Sequence, residues 1–498
     1  MSAAPDAPSP AAAPAAPASL VRNSLSMVLA RGYVTLVSAA LTIVAVRVLD
    51  VEDYSAYSLV IALSAIAGML TDLGVSTLGM RQMSQHPERQ EEILGTTVAA
   101  ELVTSGIAAL LILPVGLLLG YSSKVMVLLA LVIPYMLLSG FTVGFQIGFQ
   151  ARRLMVLAGG YTAMQATVSG VIGFGGLALG WGPEALVIAL GAGQLTAAVA
   201  AGWLTRSRLH MWPKLRGAWR TVPAFMRAAL PIAMASSVLA LYDRVDIVLV
   251  SKLAGEAKTA LYSVPLTVQQ TLLIVPHVIS VAFFPSLAER IREDPQAVRD
   301  RFFVLVRVFL VISVPMGIGL AVAARPVLTF AFGDEYAKSA ATMALLAPTI
   351  AIGFLVNLLW AAMIAAHREK QVAALLLGGL ALNVAANAVA IPHWGVEGAA
   401  GALLLSDAVV LVALSVMLHR RMLRVPVGDL LLKPLLAGAA AAVAAVLLDP
   451  VSDFVAGTGA VVAFLAVLLP LGYVSAEEWR PLTGPVGDIL GRLRRKTT

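Results

Sequence analysis

Long stretches of apolar residues fill most of this chain, and they limit its fold more than any other feature. An α-helix needs about 20 consecutive apolar residues to cross the hydrocarbon core of a bilayer. The sequence contains fourteen such stretches, so it predicts an all-α polytopic membrane protein with about 14 transmembrane helices. The predicted spans are 24–47, 55–80, 94–120, 125–148, 155–180, 184–204, 228–251, 259–285, 303–324, 340–365, 371–391, 398–418, 434–449 and 455–474.

The amino-acid composition agrees with this interpretation. Hydrophobic residues make up 59% of the 498 residues and charged residues 13%, against about 25% charged residues in average soluble proteins. A soluble fold could not cover so much apolar surface, so most of it must face lipid or other helices. The thirteenth span is short and rich in alanine, and its loss would leave an odd number of crossings.

Positive charges predict the orientation of the chain. With both termini in the cytoplasm, 26 of the 35 lysine and arginine residues lie in predicted cytoplasmic segments and 5 lie in outer loops. Cytoplasmic loops of membrane proteins carry such an excess, so the net charge of +7 reflects topology rather than nucleic-acid binding. Abundant arginine and alanine suggest a bacterial genome, and we expect a multi-pass protein of the bacterial cytoplasmic (inner) membrane.

Motifs that carry enzyme chemistry do not stand out in the sequence. There are no cysteines, which excludes disulfides and cysteine metal sites. No phosphate-binding glycine loop, zinc-ligand spacing or catalytic triad rises above background, and no predicted outer loop exceeds 15 residues. We therefore predict that the protein is not an enzyme, has no metal or cofactor site, and functions through its helices.

The two halves of the chain resemble each other. The sequence WGPEA at 181–185 recurs as WGVEGA at 394–399, and Tyr121 has a counterpart in Tyr336. Two further matches keep the order at nearly the same spacing, which favours duplication of a six-helix unit. Since six is even, the two lobes are predicted to be related by a pseudo-two-fold axis along the membrane normal. The substrate is expected between them.

These patterns divide the chain into segments. The first residues are rich in alanine, proline and serine and are predicted to be disordered. The basic linker between the lobes carries Trp212 and Trp219, and we expect it to lie on anionic lipid. The predicted segments are a disordered cytoplasmic tail at 1–22, an N-terminal six-helix lobe at 23–205, a basic cytoplasmic linker at 206–227, a C-terminal six-helix lobe at 228–420, two extra C-terminal helices (13 and 14) at 421–474 and a basic cytoplasmic tail at 475–498.

Four motifs resemble one known family over residues 22–420. They are an N…IP..G..GAA run from Asn383 to Ala400, an FG..Y..S run from Phe332 to Ser339, an LP…Y.R.D run from Leu230 to Asp246 and a DLG…R run from Asp72 to Arg81. In their order along the chain, from Asp72 to Ala400, they are similar to the polysaccharide (O-antigen-type oligosaccharide) flippases of the multidrug/oligosaccharidyl-lipid/polysaccharide exporter superfamily.

The resemblance implies a function. A flippase of this kind moves a polyprenyl-pyrophosphate-linked oligosaccharide, a precursor of cell-surface polysaccharide, across the cytoplasmic membrane by alternating access. Its expected partners are that lipid-linked oligosaccharide, anionic membrane lipids and other polysaccharide-assembly membrane proteins. The alternatives are a lipid II flippase of peptidoglycan synthesis and a drug/cation antiporter of the same superfamily. A membrane enzyme of glycan assembly is disfavoured by the short outer loops.

Ionisable residues within predicted spans are candidate site residues, because burying a charge in the bilayer is costly. Guanidinium groups bind phosphate through two parallel hydrogen bonds, so Arg31 and Arg244 are the candidate pyrophosphate ligands, with Asp246 as a further substrate-binding residue. The alternative is an internal ion pair, such as Arg244 with Asp243 or Arg31 with Asp72.

Carboxylates in other spans are candidates for energy coupling. Asp72, Glu101 and Asp407 lie in predicted helices 2, 3 and 12. Each is expected either to bind a coupling proton or cation or to anchor hydrogen bonds inside the bundle. Five neutral residues are predicted either to contact sugar hydroxyls or to form hydrogen bonds between helices: Gln146, Gln150, Gln269, Gln270 and Asn357.

Overall fold

The structure is a computed structural model that describes residues 17–72, 74–152, 154–276, 295–365, 368–421 and 427–473. The described residues form α-helices joined by short turns and 3₁₀ segments, with no strand among them. The helices are α1 (Pro17–Val48), α2 (Val51–Asp72), α3 (Val75–Gln85), α4 (Gln90–Leu118), α5 (Ser123–Ala151), α6 (Met155–Ala178), α7 (Glu184–Arg208), α8 (Ala218–Tyr242), α9 (Val245–Leu253), α10 (Thr259–Leu272), α11 (Pro295–Val322), α12 (Ala324–Phe332), α13 (Ala340–Ala365), α14 (Glu369–Arg421), α15 (Val427–Leu448) and α16 (Asp453–Leu468).

The length and composition of these helices suit a membrane. Within the described residues, eight helical segments are long and apolar enough to cross a bilayer, and two shorter apolar helices follow at Leu432–Leu448 and Asp453–Leu468. Large apolar side chains such as Leu118 and Val446 are 87% and 73% exposed, as expected for a surface that faces lipid. The all-α polytopic fold is confirmed, whereas the count of fourteen crossings stays a prediction.

Two predicted spans are broken rather than continuous. The span predicted at 55–80 consists of α2 and α3, which are separated around Gly74 at φ 71°, a conformation that glycine adopts without steric cost. The span predicted at 228–251 consists of α8 and α9, with Asp243 and Arg244 between them. A run of apolar residues predicts burial of a segment but not an unbroken helix.

The turn between predicted helices 11 and 12 is confirmed. The long helix α14 contains Gly395 at φ 60° and ψ −134°, so it consists of two helices joined at a sharp turn. Pro392 precedes this turn and cannot donate the hydrogen bond that would continue the first helix. Gly182, in the matching WGPEA segment, also has a positive φ of 71°, so this glycine has a positive φ in both similar segments.

Close packing holds the first half together. An added Cβ at Gly140 of α5 would lie 1.9 Å from Ser105 Oγ of α4, and one at Gly144 would lie 2.8 Å from Val98 Cγ2. Small residues at this spacing let two helices in a membrane approach closely. In the same half α1 packs on α6, and α7 packs on α5 and α6.

The two halves meet mainly through α2, α3 and α4 of the first half. Helix α2 contacts α8, α9 and α10, while α3 and α4 contact α8. Helix α1 begins at Pro17, inside the predicted 1–22 tail, and only residues 209–217 of the predicted linker lie outside a helix. The C-terminal tail lies outside the described residues, and the domain boundaries remain predictions.

Candidate functional site

A cavity of about 420 Å³, here called the central cavity, lies between the two halves. Of its twelve lining residues, eight are polar and none is acidic. Its polar residues are Arg31, Thr35, Ser38 and Thr42 on α1, Thr267, Gln270 and Thr271 on α10, and Asn357 on α13. One guanidinium with many neutral hydrogen-bonding groups suits a ligand that combines an anionic group with hydroxyls.

Of the two arginines predicted to bind pyrophosphate, one is among the described lining residues of the central cavity. Arg31 lines the central cavity, while Arg244 and Asp246 are not among its described lining residues. Arg244 lies in the break between α8 and α9, where its charge acts on Asp243 and on Tyr54. Among the described ion pairs, none joins Arg244 to either neighbouring aspartate. Substrate binding by Arg244 therefore stays a prediction.

Asp246 lies in a buried polar group of the second half, here called the Asp246 cluster. The cluster consists of Asp246, Tyr262, Asn383, Asn387 and Ser406. Asp246 is 2% exposed, and it accepts hydrogen bonds from the Tyr262 hydroxyl at 3.0 Å and from Asn387 Nδ2 at 2.9 Å. Asn383 Nδ2 donates to Ser406 Oγ at 3.2 Å. The cluster thus joins α9, α10 and both parts of α14.

Oxygen atoms dominate the interior of this cluster. Asn387 Nδ2 also lies 3.0 Å from Asn383 Oδ1, while Asn387 Oδ1 is buried and forms no hydrogen bond within the described residues. None of the described ion pairs involves Asp246. Burying a carboxylate without a counter-charge is costly, so a proton or a bound cation would stabilise this arrangement.

The candidate coupling residues fall in different places. Asp407 accepts a hydrogen bond of 2.6 Å from the Tyr242 hydroxyl and interacts electrostatically with Asp246. Glu101 is completely buried on α4. Asp72 ends α2, but its side chain lies outside the described residues. The structure therefore brings Asp407 next to Asp246 and places Glu101 in the first half.

A second polar cavity, here called the N-half cavity, lies within the first half. It has a volume of about 280 Å³ between α1, α6 and α7 and shares Ser38 and Thr42 with the central cavity. Gln165, on its wall, donates a hydrogen bond of 2.6 Å to Gln194. Ser169 donates to the carbonyl of Ala189 at 3.0 Å. All polar side chains that line this cavity are uncharged.

Hydrogen bonds close the predicted outer end between the halves. Arg47, at the end of α1, donates from Nε to the Ala331 carbonyl at 2.9 Å, which caps the C-terminus of α12. Ser55 Oγ of α2 donates to the Ala257 carbonyl at 3.0 Å and accepts from the Ala260 amide at 2.8 Å. Ser55 thus caps the first turn of α10 across the boundary.

A lysine strengthens this closure. Lys252 donates to the Leu119 carbonyl at 2.7 Å and lies 3.5 Å from the centroid of the Tyr121 ring. The Tyr121 hydroxyl is 3.2 Å from Ser251 Oγ, and burial raises the pKa of Tyr121. We call the contacts of Arg47, Ser55, Tyr121 and Lys252 the outer seal. Arg31 and Thr42 lie 16 and five residues before Arg47, so the lining of the central cavity extends from about 24 Å to about 8 Å along α1 from the seal.

Sequence reasoning did not predict the Asp246 cluster as a unit. Asn383 was recognised only within a motif, and Asn387 was not recognised at all. A signal existed, because Asn383 and Asn387 are four residues apart and share one helix face. The polar stripe of the central cavity has a similar signal, since Arg31, Thr35 and Ser38 also follow helical spacing.

Comparisons with solved structures place this fold. "Lipid II flippase MurJ, inward closed conformation" matches with a TM-score of 0.71 at 11% identity, covering 92% of this chain and 99% of that chain. An inward-facing multidrug resistance MATE family transporter of the MOP superfamily matches with a TM-score of 0.62 at 14% identity, covering 78% and 94%. A MOP superfamily transporter from Pyrococcus furiosus matches with a TM-score of 0.59 at 13% identity, covering 81% and 95%. At these identities the likeness shows the fold.

A comparison with models of protein families shows the family to which the chain belongs. No curated protein matches the chain, but a family model does. The model describes a polysaccharide biosynthesis protein and matches residues 44–341, more than half of the sequence. The matched region includes the α10 wall of the central cavity, the broken helices α2–α3 and α8–α9, and Asp246, whereas Arg31 and Asn357 lie outside it. The chain therefore belongs to this polysaccharide biosynthesis protein family and has the fold of MOP superfamily transporters.

Proposed function

We propose that this protein is a flippase that moves a polyprenyl-pyrophosphate-linked oligosaccharide across the cytoplasmic membrane by alternating access. The central cavity is the observation that carries the proposal. It combines one arginine with seven neutral hydrogen-bonding side chains and has no acidic lining residue among those described. The pyrophosphate binds the Arg31 guanidinium, and hydroxyl groups of the first sugars meet Gln270 and Asn357.

The outer seal supports a direction of transport. With the predicted orientation, the seal closes the outer end, and the Arg31 end of the central cavity lies nearer the cytoplasm. A conformation in which the outer seal is closed would accept substrate from the cytoplasmic leaflet. Breaking the contacts of Ser55 and Lys252 and closing the opposite end would then release the substrate outside, with each half moving around the site.

We further propose that the Asp246 cluster takes up the coupling proton or monovalent cation. Its buried carboxylate has no basic partner among the described ion pairs, and Asn387 Oδ1 is left without a hydrogen bond. Occupation of the cluster would change the contacts between α9, α10 and α14. Because α10 also lines the central cavity, ion binding and substrate binding would be linked.

Lipid II is a second candidate substrate, because a lipid II flippase matches over 92% of this chain. It also combines a pyrophosphate with sugars, so the central cavity suits both. A cationic drug is disfavoured, since the described lining has no carboxylate.

Transport by the purified protein in vesicles tests the proposal. We expect polyprenyl-pyrophosphate-linked oligosaccharide to become accessible to a glycosidase on the opposite side, and transfer to require the protein. Transfer of lipid II alone would favour the second candidate. Export of a cationic drug without movement of either glycolipid would overturn both.

The predicted orientation has its own test. Because the chain has no cysteine, single cysteines report cleanly on topology. We expect Glu335→Cys to react with a membrane-impermeant thiol reagent in intact cells, and Glu88→Cys to react only after the cells are opened. Both residues are exposed, so the reverse pattern would show that the orientation is wrong.

A further inference from the structure

Two apolar grooves run along the surface of the first half, on either side of α7. One, of about 600 Å³, lies between α7, α5 and α4, and the other, of about 460 Å³, lies between α7 and α6. Leu195, Val199 and Trp203 line both grooves. These residues are four apart on one face of α7 and are 52%, 65% and 63% exposed, so they form a ridge between the grooves.

A positive charge marks one end of the ridge. Arg206 lines the larger groove and is the one charged residue in its described lining. It lies 11 residues beyond Leu195, or about 16 Å along the helix, which is comparable to the depth of one leaflet. On the predicted orientation this end faces the cytoplasm, where membrane lipids are anionic.

The loop beside Arg206 is held in a fixed shape. Trp212 lines the groove, and its amide donates to Glu91 Oε1 at 3.3 Å. Lys214 forms an ion pair of 3.1 Å with Glu91, and the Arg152 guanidinium donates to a loop carbonyl at 2.9 Å. His210 has a φ of 53°, a strained conformation that persists where the surroundings impose it. Trp212 is thus positioned in advance at the groove.

We propose that these grooves bind one diacyl anionic phospholipid of the cytoplasmic leaflet, with its phosphate at Arg206 and one acyl chain on each side of the ridge. Two grooves that share one wall fit two chains joined at one head group, whereas a polyprenyl lipid has a single chain. Arg206 complements the phosphate charge, and Trp203 and Trp212 suit the membrane interface. The lipid would stabilise residues 209–217, which connect the two halves.

Native mass spectrometry of the full chain in detergent tests this proposal, with phosphatidylglycerol and phosphatidylcholine as the probes. We expect the protein to bind one phosphatidylglycerol molecule tightly and to bind phosphatidylcholine clearly more weakly. Arg206→Ala should lower the affinity for phosphatidylglycerol about fivefold, because a basic residue near the membrane surface contributes about that factor to lipid binding. Arg220→Ala is the matched control, since Arg220 is exposed on the same side but does not line either groove.

A second variant separates groove binding from general charge attraction. Val199→Trp adds bulk on the exposed ridge and keeps every charge. It should therefore weaken the binding of phosphatidylglycerol as much as Arg206→Ala does. Equal effects of Arg206→Ala and Arg220→Ala, or unchanged binding to the Val199→Trp protein, would overturn the proposal. Displacement of phosphatidylglycerol by polyprenyl phosphate at equal concentration would also overturn it and assign the grooves to the substrate chain. None of these results depends on transport activity.

Discussion

Each half of the chain contains a polar interior site, and the two sites differ in charge. In the first half, α1, α6 and α7 enclose a cavity whose polar residues, among them Gln165 and Ser169, are neutral. In the second half, α9, α10 and α14 enclose Asp246, with Asp407 nearby. Under the predicted repeat these sites involve equivalent helices, namely helices 1, 2, 5 and 6, with Tyr57 on helix 2, and helices 7, 8, 11 and 12, with Tyr262 on helix 8. Duplication would thus have given two polar sites, of which only one holds carboxylates among the described residues.

This difference suggests a division of labour. A neutral cavity can bond hydroxyl groups at any pH and ion concentration, so the first half suits the substrate. A buried carboxylate changes its interactions when a proton or cation binds, so the second half suits energy coupling. The central cavity lies between them and takes Arg31 from the first half and Gln270 from the second.

Neutralising the second-half carboxylate should have the largest effect. Asp246→Asn keeps the size of the side chain and removes its charge, so transport driven by an ion gradient should fall on the order of 100-fold. Gln194→Leu, beside the neutral N-half cavity, should leave the dependence on the gradient unchanged. The measurement is glycolipid transfer in vesicles with and without proton and sodium gradients. If transfer by the Asp246→Asn protein still depended fully on the gradient, the proposed role of the second half in energy coupling would be wrong.

Removing the arginine of the central cavity should have the next largest effect. Arg31→Ala should reduce transfer about tenfold, because it removes charge-assisted hydrogen bonds to the pyrophosphate. Arg31→Lys should recover part of the activity, since an ammonium keeps the charge and loses the paired geometry. Arg244→Ala sharpens the comparison, because Arg244 does not line the cavity in this state. A smaller loss than with Arg31→Ala is expected.

An ion pair between Arg31 and Asp72 would give a different pattern. In that case Arg31→Ala would lower the amount of protein in the membrane, and the double variant with Asp72→Ala would restore it. Unchanged transfer by well-expressed Arg31→Ala protein would remove Arg31 from the site. Arg325→Ala, an exposed charge far along the sequence from the cavity, controls for general effects of lost charge.

The sequence predicted the features that depend on local composition. Long apolar runs indicated the helices, and the predicted spans 371–391 and 398–418 lie on either side of the turn that the structure contains at Gly395. The contacts of Asp246 could not be predicted, because Asn387 is 141 residues away and its approach depends on packing of whole helices. The break at Gly74 was also missed, since a single glycine within an apolar run is compatible with a continuous helix. Local pattern predicts burial, whereas tertiary contacts select the partners.

The smallest expected effect concerns the boundary between the halves. Ser55 of α2 makes two hydrogen bonds to the start of α10, so Ser55→Ala should weaken the outer seal by about 1–3 kcal/mol. If the halves move apart at this end, a cysteine at the buried position Val264 should react faster with an impermeant thiol reagent. Ser58→Ala is the matched control, because among the described residues the Ser58 hydroxyl donates within α2, to the Ser55 carbonyl at 3.0 Å. Equal labelling rates in the two variants would mean that this end does not open through the Ser55 contacts.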